Sequence, residues 1–485
     1  MWSPNITGSD AAIYMESARN VAEGKGFVSS VCRFNMDEER LANYIAQYGN
    51  RYQGSSRAPV YVYALSGIYL LTGKAHFMTG VNLFNILLLV LSLITVYWYM
   101  LRRFPGRTFA HFAAILWIGG SYTLFEYSYC AWLESFTLFA FVISFVYHSF
   151  IVNEDDYPWW HFLLYALALA SLFTVKRSNM PMVAAFLLHL LFQKRFKRIV
   201  MPTLFFGLFI GLWYGMRLYV MRIPPLYPFS HGFPFEGLSR EVSAVPRFFF
   251  SPHFASLVFE KILEMAMSMK NLGLLFPFTI IYLASYPNDK DKQLVWLLLL
   301  TTFGIYMLSR GAPNARYIFP IFAVLMIFSA VVLDRLLQAA FEHKQLMPRY
   351  FLIMFTLFFQ IKYITNFNKL LLESAPDRNS IFAAADDLLR ANNIPKDAVI
   401  LSNIVGYNIY TDHGYVLAPP NMHLGNKESL LTMYDVDYVL YCIGRTRYFG
   451  WNEFTVRSEE FRDLPLIEQS SSDDRVMLYK ARKQK

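Results

Sequence analysis

About ten stretches of this chain are apolar over roughly 15 to 25 residues, the length that the ~30 Å hydrocarbon core of a bilayer demands of a spanning helix. They begin near Phe77, Thr108, Ala131, Phe162, Asn179, Ile199, Met267, Leu294, Arg316 and Tyr350. The run from Asn179 to Phe192 is short for a span, so the expected number carries an error of about one. Of the 485 residues 55% are hydrophobic, 18% aromatic and only 16% charged, too apolar for an ordinary soluble domain. The chain reads as an α-helical polytopic membrane protein.

Its formal charge of +9 is no sign of a nucleic-acid partner, because the basic residues sit in short clusters between apolar runs, where they set topology. If the spans alternate, Arg102-Arg103-Arg107, Lys194-Arg195-Lys197-Arg198, Lys290-Lys292 and Arg335-Lys344-Arg349 fall on one side, the cytoplasm. The other side then receives a first outer loop with juxtamembrane helices over 1–76, a long loop around 220–265 inside the membrane domain 77–373, and a soluble region over 374–485. In that last region "DRNSIFAAADDLLRANN" has a helical pattern, and "DAVILSN", "VDYVLYC" and "RVMLYKA" are β-rich runs between turn residues, which predicts a small α/β domain. Cys32, Cys130 and Cys442 are too far apart for a CxxC site or a disulfide framework. A first loop placed outside needs a leader to cross, so a further hydrophobic helix is expected upstream of Met1.

Several polar residues could carry chemistry on the outer side. Asp10, Tyr14 and Ala18 recur every four residues and share one helix face. Ser9 or Asp10 can cap that helix; an Asp there is most often a cap, and a catalytic carboxylate is the sharper alternative. Arg57, two residues before a proline, either snorkels to lipid headgroups or contacts a phosphate, for which a guanidinium is well shaped. Glu134 in "WLESFTLF" lies about a turn inside an apolar run, where a carboxylate is costly and so a functional candidate. Glu126 reads as interfacial. Lys176-Arg177 and Arg310 to Arg316 put cations on the side the rest of the chain disfavours, as an anionic ligand or anionic headgroups would require. His231 and His253 have no ligand-like spacing, so no metal site is expected.

In their order these stretches resemble the C superfamily of glycosyltransferases, in the branch of protein O-mannosyltransferases and bacterial aminoarabinose transferases. The resemblance runs from Asp10, Tyr14 and Ala18 with "NVAEGKGF", through "RAPVY", Glu134 and the "LFTVKRSN" corner, to Arg316-Tyr317-Ile318-Phe319-Pro320. Ala11 stands where that family often has a second carboxylate, and Ala58 where it has the first of two prolines.

The resemblance implies an integral protein of the bacterial inner membrane that moves a sugar, with inversion, from a polyprenyl-phosphate donor to a lipid, glycan or protein acceptor at the extracytoplasmic face. The donor is a substrate, and no cofactor is implied. Asp10 would be the base, with Glu134 orienting the acceptor or Asp10. Arg57, Arg177 and Arg316 would face the lipid phosphate, and Tyr14 and Tyr317 would line the substrate pocket. An acceptor hydroxyl needs a base and a departing phosphate needs cations, so this division of roles is chemically coherent. A transporter or lipid-linked sugar flippase is the competing class. It would place ionisable residues at mid-membrane depth with short outer loops. A polysaccharide polymerase or ligase would share the donor but not the first-loop pattern.

Overall fold

The computed structural model describes residues 9–29, 52–53, 59–119, 133–153, 158–175, 179–193, 196–220, 276–285, 289–308, 315–342, 350, 354, 361, 381–404, 407–417, 431–432, 435–442 and 464–481. Helices dominate: α1 Ser9–Ala22, α2 Pro59–Arg103, α3 Thr108–Gly119, α4 Glu134–Asn153, α5 Trp159–Val175, α6 Met180–Phe192, α7 Phe196–Val220, α8 Phe276–Ser285, α9 Lys290–Leu308 and α10 Ala315–Glu342. The expected long loop at 220–265 lies outside the described residues, as does most of the run expected from Tyr350.

The 45 residues of α2 are two limbs. At Gly73 the backbone takes φ 67°, ψ 173°, a combination essentially reserved for glycine, and the chain folds back on itself. Across the reversal Tyr69 meets Phe77 edge-to-face with ring centroids 5.0 Å apart, and Asn85 Nδ2 donates to the Tyr61 hydroxyl at 3.2 Å. The limbs touch most closely at Gly80, where a Cβ would stand 2.7 Å from methyl groups of Ile68 and Thr72. Only the second limb can cross a bilayer, which agrees with a first span beginning near Phe77. Leu83, Leu87, Val90 and Ile94 of that limb are exposed, and their spacing puts them on one face, an apolar stripe suited to lipid.

Two helices, Val60–Arg103 and Glu134–Asn153, are long and apolar enough by composition to span, while Thr108–Gly119, Trp159–Val175, Met180–Phe192 and Ile199–Leu212 are apolar but shorter. α4 is mostly enclosed, with Phe141, Phe145 and Ile151 buried and the stripe Phe136, Phe139, Ile143 and Tyr147 partly exposed. It is tied to α5 and α6 by a buried polar chain in which His148 Nδ1 lies 2.7 Å from the Tyr165 hydroxyl and its Nε2 2.8 Å from His189 Nδ1. The α5–α6 corner is drawn tight by Asn179 Nδ2 donating to Leu172 O at 2.9 Å.

One end of the bundle is held by charge. Asp291, at the start of α9, accepts from Arg103 Nε at 2.8 Å, Tyr99 Oη at 2.9 Å, Ser149 Oγ at 2.8 Å and Asn153 Nδ2 at 3.0 Å. Nearby, Arg107 donates to Asp334 at 2.8 Å and Gln338 at 2.7 Å on α10. A carboxylate buried as deeply as Asp291 persists only when its oxygens are satisfied, and here α2 and α4 supply the donors.

The C-terminal region contains a helix at 381–391 and a five-stranded sheet of β3 Val399–Ser402, β4 Gly414–Leu417, β5 Tyr438–Cys442, β6 Leu466–Gln469 and β7 Val476–Lys480, in the order β4-β3-β5-β7-β6. β3 pairs parallel with β4 and β5, and β7 antiparallel with β5 and β6. The helix and three of these strands form on the stretches singled out in the sequence. Upstream, Val28–Ser29 and Tyr52–Gln53 make a short antiparallel pair, β1 and β2.

Candidate active site

Helix α1 is polar in sequence yet enclosed in the fold. Tyr14, Glu16, Ser17, Arg19 and Asn20 are all buried, although the stretch is as polar as a solvent-facing helix. The difference is one of neighbours: the first limb of α2 packs along α1, and the C-terminal region closes over it.

Aromatic contacts carry the packing inward. Tyr14 meets Tyr61 edge-to-face at 5.9 Å, Tyr61 meets Phe136 of α4 at 6.2 Å, and Phe84 lies 6.4 Å from Phe136. Such pairs contribute about 0.5–1.5 kcal/mol each beyond the area they bury. They bring Tyr14 of α1 and the first turn of α4, which holds Glu134, to the same end of the bundle.

Glu134 is the first residue of α4 and is 1% exposed, rather than a turn inside a helix as the apolar run implies. Leu133, the residue of the apolar run just before it, lies outside the helix. At this terminus the partial positive charge of the backbone N–H groups favours a carboxylate. The 20-residue α4 is about 30 Å long, which puts Glu134 at the end away from Asn153 and the Asp291 cluster.

Asp10 is the second residue of α1, inside its first turn rather than at the cap, and its side chain lies outside the described residues. Arg316 and Tyr317 sit in the first turn of α10, with their side chains also outside the described residues. Their turn lies about five helical turns, close to 28 Å, before Asp334, again at the end away from the charged cluster. Arg57 and Arg177 lie outside the described residues, Arg177 in the corner between Val175 and Asn179. Among the described residues, no group of three or more His, Cys, Asp or Glu side chains could hold a metal ion.

The structure adds residues that sequence reasoning passes over. Arg19 Nη1 donates to Ile409 O at 3.0 Å and to Thr411 O at 2.9 Å in the C-terminal region. Lys74, just past the reversal in α2, pairs with Asp412 at 2.5 Å, and Tyr69 Oη donates to Glu23 at 2.7 Å. Nothing local marks Arg19 in a polar helix of mixed charges, since its acceptors are backbone carbonyls nearly four hundred residues away. Burial raises the Glu23 carboxyl, but the bonds from Lys25 and Tyr69 and the charge of Arg19 outweigh it and hold the group below its ordinary range. The hydrogen bond from Lys74 likewise lowers Asp412.

Comparison with known proteins gives three findings. Residues 56–216 match the family model of the dolichyl-phosphate-mannose-protein mannosyltransferases. No curated protein sequence matches significantly. Among solved structures, ArnT from Cupriavidus metallidurans bound to undecaprenyl phosphate superposes with a TM-score of 0.58 at 12% identity, covering 98% of this chain and 94% of that one. Its apo state gives 0.57 with the same coverage. The apo form of the Archaeoglobus fulgidus oligosaccharyltransferase gives 0.51 at 12% identity, over 91% of this chain and 66% of that one. At these identities the likeness is one of fold, and the matched segment carries the enzyme class. That segment spans the α2 hairpin, Glu134 and the α5–α6 corner, so the chain is similar to those mannosyltransferases over this segment and to ArnT and the oligosaccharyltransferase in fold.

Proposed function

We propose that the chain transfers a sugar from a polyprenyl-phosphate donor to a lipid, glycan or protein acceptor at the extracytoplasmic face of a bacterial inner membrane, inverting the anomeric carbon. The observation that carries this reading is the division of the bundle's ends. The Arg103–Asp291 and Arg107–Asp334 pairs close one end, and the first turns of α4 and α10, with Glu134 and Arg316, belong to the other. Under the rule that basic clusters stay inside, the charged end faces the cytoplasm, about ten spans cross the membrane, and α1 and the C-terminal sheet lie outside.

In this reading Asp10 takes the acceptor proton as the new glycosidic bond forms, and the electron pair of the broken bond leaves on the lipid phosphate. Arg57, Arg177 and Arg316 stand against the charge that grows on that phosphate, and Glu134 holds the acceptor or Asp10 in place. Tyr14 and Tyr317 line the pocket. Undecaprenyl phosphate is bound by ArnT, which supports a donor of the same chemical kind here. A transporter is less well supported, because the buried Asp291–Arg103 pair closes an end of the bundle instead of lining a path through it.

The deciding experiment incubates the purified protein with a panel of polyprenyl-phosphate sugars labelled in the sugar, together with membrane extracts, and follows the label. Movement of one label to an acceptor with release of lipid phosphate is the expected result. Translocation of intact labelled lipid across proteoliposomes without transfer would favour the flippase.

A further inference from the structure

We infer that Arg19 is a positioning residue for transfer: it fixes helix α1, and with it Asp10, against the C-terminal sheet region, whose role is to hold the catalytic helix. The inference rests on the reading of α1 as the catalytic helix.

The argument begins with the cost of the contact. A guanidinium only 8% exposed is expensive to bury unless its donors are satisfied, and the Nε of Arg19 makes no hydrogen bond among the described residues. An apolar side chain would avoid that cost at this position. What Arg19 gains is two bonds from a single nitrogen, to Ile409 O and Thr411 O, and both acceptors belong to a preformed turn. Tyr407 opens this turn as a 3₁₀ helix over Tyr407–Ile409, receives hydrogen bonds from the Tyr410 and Thr411 amides at 2.9 and 3.0 Å, and is anchored to the helix at 381–391 through its hydroxyl and Asp386. Thr411 Oγ1 is fixed in turn by His413 Nδ1 at 2.9 Å. The carbonyls are therefore set before Arg19 arrives, which is the condition for a hydrogen bond to position its donor rather than merely accompany it.

A second contact points the same way. Lys74 binds Asp412, so the turn that receives Arg19 is also pinned to the reversal of the α2 hairpin, and Tyr69 of that hairpin holds Glu23 at the far end of α1. Three elements thus close a triangle around α1. Asp10 lies nine residues, about 13 Å, along the helix from Arg19, so a small tilt at Arg19 becomes a displacement at the candidate base. Misplacement of about 1 Å can cost 10²-fold in rate.

The test uses the full chain in detergent or nanodiscs and reads three quantities: single-turnover transfer, donor KM, and hydrogen exchange of the α1 amides against those of α4. Arg19→Met should speed exchange in α1 while sparing α4, and lower turnover about 10- to 100-fold with donor KM changed less than about threefold. Arg19→Lys, which keeps the charge and can reach one carbonyl, should recover part of the loss. Should Arg19→Met fail to fold, the exposed pair Lys74/Asp412 gives a second route. Asp412→Lys alone should speed α1 exchange and lower turnover, and Lys74→Asp with Asp412→Lys together should restore both. Unchanged α1 exchange, or unchanged turnover despite faster exchange, in variants of a wild type that does transfer would overturn the inference. A wild type that transfers no sugar from any donor in the panel would instead overturn the catalytic reading, and the exchange data would still say whether Arg19 fixes α1.

Discussion

Asn85 donates a hydrogen bond to the hydroxyl of Tyr61, although 24 residues separate them along a stretch of nearly continuous helix. The contact exists because the chain reverses at Gly73, and it joins the limb that carries α1 to the limb that crosses the bundle.

The reversal makes a stability prediction. Gly73→Ala places a Cβ on a residue with φ 67°, ψ 173°, a sparsely populated conformation that costs about 1–3 kcal/mol. Gly80→Ala puts a Cβ 2.7 Å from the branched side chains of Ile68 and Thr72, and their stiff χ1 angles leave little room to yield, so about 1–3 kcal/mol is expected. Thermal unfolding in detergent should show both losses, while Gly207→Ala, with nothing within 4 Å, should be near neutral.

A second prediction concerns the charged end. Asp291→Ala leaves Arg103 without its deeper carboxylate and takes the acceptor from the Tyr99 and Ser149 hydroxyls, a loss of about 3–5 kcal/mol. Replacing both residues together, Arg103→Met with Asp291→Leu, should cost less than Asp291→Ala alone, because the buried carboxylate and its guanidinium leave together and only the partly exposed Asp289 loses a cation. Transfer per mole of folded protein should be nearly unchanged, since the candidate site is about 30 Å away. Thermal melts beside single-turnover assays would separate the two effects.

For Asp10 the sharp comparison is Asp10→Asn. In the first turn of a helix Asn keeps the shape of Asp and gives up only its charge against the helix dipole, about 0.3–1 kcal/mol, so a purely structural carboxylate would be replaced with little loss. As general base, its replacement should lower single-turnover transfer by about 10²–10⁴-fold with donor binding intact. Near-normal transfer would move the assignment to Glu134.

Arg57→Ala should weaken donor use more than acceptor use, and Arg57→Lys should recover part of it, because charge survives while the bidentate fork does not. Unchanged donor kinetics would return Arg57 to a headgroup role.

A pH prediction follows from Glu23 and Asp412, whose carboxyls are both held below their ordinary range. A carboxylate with a lowered folded pKa stabilises fully above its unfolded value, near 4, and loses that contribution as pH falls through the folded value. Exchange protection of α1 should therefore be flat from about pH 5 to 8 and fall below about pH 4. Both groups are partly exposed, so the change should be small and should shrink further with added salt.

What was legible in the sequence is what depends on composition and period. The apolar runs foretold helices from α2 to α10, and "DAVILSN", "VDYVLYC" and "RVMLYKA" foretold β3, β5 and β7. The strands Gly414–Leu417 and Leu466–Gln469 were missed because both lie at the edges of the sheet, where a strand does not need the continuous apolar run that marked β3. The enclosure of α1 was missed for another reason: whether Glu16 and Arg19 face water or protein depends on partners remote in sequence. Resemblance to a family supplied candidate roles for Asp10 and Glu134, but neither spacing nor resemblance indicated Arg19.

The bond between Arg19 and the carbonyl of Ile409 joins residues 390 apart in the chain. At about 5–20 residues per second, synthesis takes on the order of 20–80 s to travel between them, and through that interval the ribosome holds a protein whose membrane helices are already threading into the bilayer. Until the turn at Tyr407 emerges and folds, α1 has nowhere to place its guanidinium. On the proposed role of Arg19, the protein would work about 10- to 100-fold below its full rate during its own biogenesis, and a chain cut short within that turn would stay in that slow state.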